Sequence, residues 1–98
     1  MKETGAIVNL ITTSSEEEAH KITELLLGGR KAAPINIVPK VNSRLRWQAE
    51  VDSAQESLLT IKTKASLVTE IINLVKGAHS YTVPEVIAVS IVGGTKIT

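Results

Sequence analysis

The sequence predicts an α+β fold in which a four-stranded antiparallel sheet carries two helices on one of its faces. Three observations predict it. Four segments show strand-type apolar patterning and two others show apolar residues at helical spacing. Their order along the chain is strand, helix, strand, strand, helix, strand. The strands carry apolar side chains on both faces, so each side of the sheet needs cover. The order βαββαβ with right-handed crossovers is the ferredoxin-like arrangement, which places the first and third strands in the centre.

Residues 5–12, GAIVNLIT, are largely β-branched and apolar on both sides of the pleat, as a central strand is. Ser14 with Glu17, and Ser15 with Glu18, each match a capping box, and three consecutive glutamates sit at the positive end of the helix dipole. Ala19, Ile22 and Leu26 then recur at helical spacing, Leu25 widens the stripe, and Gly28-Gly29 ends the helix. His20 falls beside the polar face and reads as a solvated surface residue.

The rest of the chain is organised around residues 32–64, two extended limbs joined by a polar connection with Trp47 near its middle. Ile35, Ile37 and Val41 pattern the first limb, and Leu59 and Ile61 alternate with Thr60 and Lys62 in the second. Pro34 and Pro39 lack a backbone N–H, which makes the first limb an edge strand or a bulged one. An apolar edge needs cover; the expected cover is another copy of the same chain. Residues 65–78 form the second helix, with Leu67, Ile71, Leu74, Val75 and Ala78 as its apolar stripe and Gly77 near its end. AHSYTVPE is a loop in which Pro84 favours an extended residue before it. Residues 86–92, VIAVSIV, form the last strand, and Gly93-Gly94 ends the pattern, leaving a short tail at 95–98.

All 98 residues read as a single domain with an aliphatic core, since there is no Phe, one Trp and one Tyr. A net charge of +1 and scattered basic residues give no footprint for nucleic acid or an anionic membrane surface. The absence of Cys excludes disulfides, thiolate metal sites and cysteine nucleophiles. MKETGAIVNLITT has no apolar core of the length a signal peptide needs, and no run approaches the ~20 residues of a membrane span. The expected location is the cytoplasm.

The ordered series RKAAPINIVPKVNSRLRWQAEV, ESLLTIKTKASL and AHSYTVPEVIAVSIVGG resembles the CutA family of divalent-cation tolerance proteins, over residues 8–94. Family-like positions include Glu16, Ser43, Trp47, Glu56, Lys62, His79, Tyr81 and Val83-Pro84-Glu85. The resemblance implies a ferredoxin-like protomer in a PII-like homotrimer, with the long strand pair reaching across to neighbouring subunits. It implies a role in tolerance of copper and other divalent cations, by binding or signalling and without catalysis. No cofactor is required; a weakly held Cu²⁺ or Zn²⁺ is the expected cation. The chain departs from the family pattern at Pro34 (usually Cys), Leu45 (usually aromatic), Ala49 (usually Gly), and Ser80 and Ser90 (usually Pro). An aromatic-rich helical segment of the family would lie beyond Thr98.

The motif positions carried over as a ligand-binding cleft are Trp47, Glu56, Lys62, Tyr81 and Glu85, with His79 as the metal candidate. Glu56 and Lys62 lie six apart, which puts them on one face of an unbroken strand, either paired with each other or holding a charged ligand between them. His79 suits copper or zinc with Glu85 as an oxygen partner. At the end of the second helix its imidazolium would equally complement the dipole. Trp47 and Tyr81 each fit either a ligand contact or an anchor at a subunit boundary. Arg44 and Arg46 either hold an anion or form a solvated rim. Two other readings share the scaffold. One is a PII-like sensor gripping an anionic small molecule at subunit clefts through Lys62, Arg44 and Arg46; the other is a trimeric scaffold for a protein partner.

Overall fold

Alternation along a strand becomes two distinct sheet faces once the strands pair. A computed structural model of the protein describes residues 5–32, 34–80 and 84–95, with Trp47 described in its backbone alone. Strand β1 (Ala6–Thr13) lies between β3 (Glu50–Lys64) and β4 (Val86–Ser90), and β2 (Ile35–Trp47) forms the far edge against β3. All three pairings are antiparallel and the order is β2-β3-β1-β4. Helix α1 (Glu16–Gly28) follows β1, and α2 (Val68–Ala78), preceded by a 3₁₀ turn (Ala65–Leu67), follows β3. This is the ferredoxin-like βαββαβ fold, with the first and third strands central as the sequence predicts.

One face of the sheet presents Ile7, Asn9, Ile11 and Thr13 of β1 with Ser57, Leu59 and Ile61 of β3, all buried. Ala19, Ile22 and Leu26 of α1 and Ile71 and Val75 of α2 close over Ile11, Leu59 and Ile61 to form the core. Leu25 does not widen the stripe; it is exposed. Asn9 is an oddity among the aliphatics: it is fully buried, and neither side-chain amide atom finds a hydrogen-bond partner.

Among the described residues, no helix covers the opposite face. Register places Val8 beside Val89, Leu10 beside Ile87, and Leu58 beside both Thr12 and Val38. Ile87, Val89 and Val38 are 44–48% exposed. A continuous aliphatic surface of this kind is unusual on an isolated soluble domain.

The long hairpin departs from the expected two limbs and polar connection. β2 and β3 run on to Trp47 and Glu50, and only Gln48 and Ala49 form the turn. Both turn residues have positive φ, 47° and 69°, the backbone of a type I′ hairpin built without glycine. Residues 42–55 look like a connection because this arm lacks apolar alternation, most of its side chains being exposed. Proline marks the edge as predicted: pairing slips between Val38 and Val41, around Pro39 and a left-handed Lys40 (φ 56°).

The expected helix stop also changes hands. Gly28 and Gly29 precede the left-handed residue, which is Arg30 (φ 54°). Arg30 N–H bonds to Leu27 O (3.1 Å) and Lys31 N–H to Leu26 O (2.9 Å), a Schellman closure with arginine in the glycine position. The last strand is shorter than expected, ending at Ser90; Ile91 still donates its N–H to Ala6 O (3.0 Å).

Candidate functional site

The polar chemistry of the helix side gathers where β1 ends and both helices have a terminus. Of the two possible capping boxes the chain uses Ser15, whose hydroxyl accepts from Glu18 N–H at 3.1 Å. Only half of the box forms. The Glu18 carboxylate turns away and links α1 to the end of α2: Oε2 accepts from Ser80 N–H (3.1 Å) and Ser14 Oγ–H (3.3 Å). Ser14 and Ser80 hydroxyls lie 3.0 Å apart. Oε1 lies 3.4 Å from Nδ1 of His79.

His79 caps α2, and its side chain is fully buried while that of Glu18 is 11% exposed. Nε2 meets Thr12 O at 2.7 Å, so the ring lies between a carbonyl and a carboxylate. The ring thus bridges the end of β1 and the start of α1. Burial disfavours the charged form of Glu18, but the Ser80 hydrogen bond, the imidazole of His79 and the Ser14 contact outweigh it and hold its carboxyl below the ordinary value. A metal at His79 would have to displace the Thr12 carbonyl or the Glu18 contact. Among the described residues, no group of three or more His, Asp or Glu side chains is placed to hold a metal ion.

On the open face of the sheet, directly behind His79, Thr12 lines a hollow of about 330 Å³ with Leu10, Ser43, Glu56, Leu58, Glu85 and Ile87. Two of the residues carried over by motif, Glu56 and Glu85, are therefore brought together from β3 and the start of the segment leading into β4. Lys62 is not brought to them. It shares their face of β3, but six residues of strand, roughly 20 Å, separate it from Glu56. It lines a second hollow at the other end of the sheet. Tyr81 and the side chain of Trp47 lie outside the described residues. Arg44 and Arg46 are exposed on the hairpin arm, away from both hollows.

Sequence reasoning missed the partners of His79. The Ser15–Glu18 spacing was the available signal, but it points to a cap and not to a carboxylate aimed at another helix. Nothing in the linear sequence signals that Ser14, Ser80 and Thr12 gather around this pair.

Fold and site together define a small ferredoxin-like α+β protein with a bare aliphatic sheet face and an acidic hollow set into it. Comparison with known proteins narrows the class. The model of the family described as CutA1 divalent ion tolerance protein matches residues 7–97, and the chain belongs to that family. It is 45% identical over 89 residues to the divalent-cation tolerance protein CutA of Thermus thermophilus, covering 91% of this chain and 86% of that protein. It is 38% identical to the chloroplastic protein CutA of Arabidopsis thaliana, covering 96% of this chain and 52% of the relative, so it spans about half the length of that protein. The structure of the periplasmic divalent cation tolerance protein CutA of Archaeoglobus fulgidus superposes with a TM-score of 0.87 at 35% identity, covering 93% of this chain and 88% of the other. None of these names describes an enzyme. Among the described residues, no helix is long and apolar enough to cross a membrane.

Proposed function

We propose that the protein acts in divalent-cation tolerance as a homotrimer that binds the cation at subunit boundaries and performs no covalent chemistry. The observation that carries this reading is the acidic hollow set into the bare apolar face. Copies meeting through Val8, Leu10, Ile87 and Val89 would remove aliphatic surface from water at about 25 cal/mol per Å². The same association would bring the Glu56 and Glu85 carboxylates to a boundary where further oxygen donors converge. Carboxylates with the Thr12 and Ser43 hydroxyls form an oxygen set suited to a hard divalent ion or to Zn²⁺. His79 acts behind the hollow, fixing the Thr12 carbonyl and with it the hollow's floor. The names of the family's relatives, none of which describes an enzyme, support the cation reading and a non-catalytic role, and the absence of Cys fits the cytoplasm.

Sedimentation equilibrium combined with calorimetric titration of Cu²⁺ and Zn²⁺ tests it. The expected result is a trimer that binds cation, with binding lost in Glu56→Gln/Glu85→Gln and the trimer retained. A monomeric wild-type chain, or cation binding indifferent to both substitutions, would overturn it.

A further inference from the structure

The hollow at the opposite end of the sheet, about 890 Å³, lies within the ~300–1,000 Å³ range of small-molecule sites. Two separate segments bring cations to it, Arg30 and Lys31 from the end of α1 and Lys62 and Lys64 from the end of β3, while Ala6, Pro34 and the residues after β4 add uncharged wall. Among the described residues, no acidic side chain lines it. Lys31 is held 2.7 Å from Glu70 on α2. Arg30, Lys62 and Lys64 form no ion pair among the described residues. Four of the eleven basic residues of a chain whose net charge is only +1 thus converge on one concavity.

Lys62 N–H bonds to Pro34 O (3.2 Å), Ala65 N–H to Gly5 O (2.8 Å) and Ile91 N–H to Ala6 O (3.0 Å), and Thr63 Oγ1–H donates to Lys31 O, so the segments of the wall are tied to one another. Leu27 and Ile91 give part of the lining an apolar character. Arg30 adds a conformational argument. Glycine would sit at its left-handed φ of 54° without strain, yet the position carries a guanidinium.

We propose that this hollow binds a phosphate-bearing small molecule, with Arg30, Lys62 and Lys64 on the phosphates and the body of the ligand against Leu27 and Ile91. A single carboxylate would leave most of the converging charge uncompensated. A phosphate or diphosphate group supplies several charges and acceptor oxygens in one compact unit, matching an arginine fork and two lysine point charges. The site is independent of the acidic hollow, which lies at the other end of β3.

Calorimetric titration of the full chain with inorganic pyrophosphate, adenosine diphosphate and adenosine tests the assignment. Both phosphate compounds should bind saturably and adenosine should not, with affinity falling as ionic strength rises. Tighter binding of the nucleotide than of pyrophosphate supports the apolar contact; equal binding assigns affinity to the phosphates and upholds the charge argument. Lys62→Ala/Lys64→Ala should weaken binding roughly tenfold or more, the loss expected for one or two charge-assisted contacts. Arg30→Gly separates binding from folding, since it should resist urea at least as well as the wild type and still bind less tightly. No saturable binding of either phosphate compound overturns the proposal. So does unchanged binding in variants that unfold at the wild-type urea concentration.

Discussion

Removing Glu18 and His79 singly and together measures the polar junction that ties the start of α1 to the end of α2. Glu18→Ala strips Ser80 N–H and Ser14 Oγ–H of their acceptor and leaves the buried His79 ring facing no anion. The Ser80 and Ser14 bonds are exposed and contribute little each; the contact with the buried ring contributes more. At about 1–3 kcal/mol for a hydrogen bond to a charged acceptor, with the exposed bonds at the low end, the loss comes to about 2–3 kcal/mol. His79→Ala forfeits the 2.7 Å bond to Thr12 O and opens a cavity, for about 2–4 kcal/mol. Because both variants break the same contact, the double variant should lose less than the sum, by about 1–2 kcal/mol. Urea unfolding at one fixed protein concentration is the assay, since assembly would shift every midpoint with concentration. The sign of the pH dependence follows from the lowered pKa of Glu18. A carboxyl whose folded pKa lies below its unfolded value contributes stability that is complete above the unfolded pKa, about 4.3, and is lost as pH falls through the folded one. The stability difference between wild type and Glu18→Gln should therefore be full at pH 7 and vanish in acid. Additive single effects, within about 0.5 kcal/mol at pH 7, would refute the reasoning.

Two further substitutions probe the backbone and the core. Ala49→Gly relieves a left-handed alanine (φ 69°) in the hairpin turn and should raise stability by about 0.5–1 kcal/mol, read from the urea midpoint. Asn9→Leu replaces a buried amide that has no partner with an apolar side chain of similar volume. It should stabilise by about 1–2 kcal/mol; a loss of stability on calorimetric unfolding would show that the amide is bonded after all.

The fold was legible wherever burial imposes a period on the chain. Ile7, Ile11, Leu59 and Ile61 alternate because the helices cover one face, and Ile22, Leu26, Ile71 and Val75 repeat because the sheet covers theirs. Apolar residues at the intervening positions Val8, Leu10 and Ile87 announced the bare second face. Legibility ended where burial ends. The outer hairpin arm has no core to pattern it, so its strands read as a connection and its turn, lacking Gly or Asn-Gly, gave no signal. The candidate site was half legible. Motif position placed Glu56 and Glu85, and register then brought them together. The separation of Lys62 from Glu56 was available from strand rise alone, since a shared face does not make two residues neighbours. The bond between His79 and Thr12 spans 67 residues of sequence, and the gathering of Arg30 with Lys62 and Lys64 joins two distant segments; no local pattern encodes either.

The slip in β2 bears on how a chain with so much exposed aliphatic surface avoids growing without limit. An unbroken outer strand offers every neighbour a template, and sheets added edge to edge extend into fibrils. Here Pro39 withholds a donor and left-handed Lys40 turns the backbone, so the ladder offered outward is interrupted midway along the strand. In the proposed homotrimer, association would thereby be steered from the rim of the sheet to its flat side, where a finite number of partners exhausts the available area and growth stops.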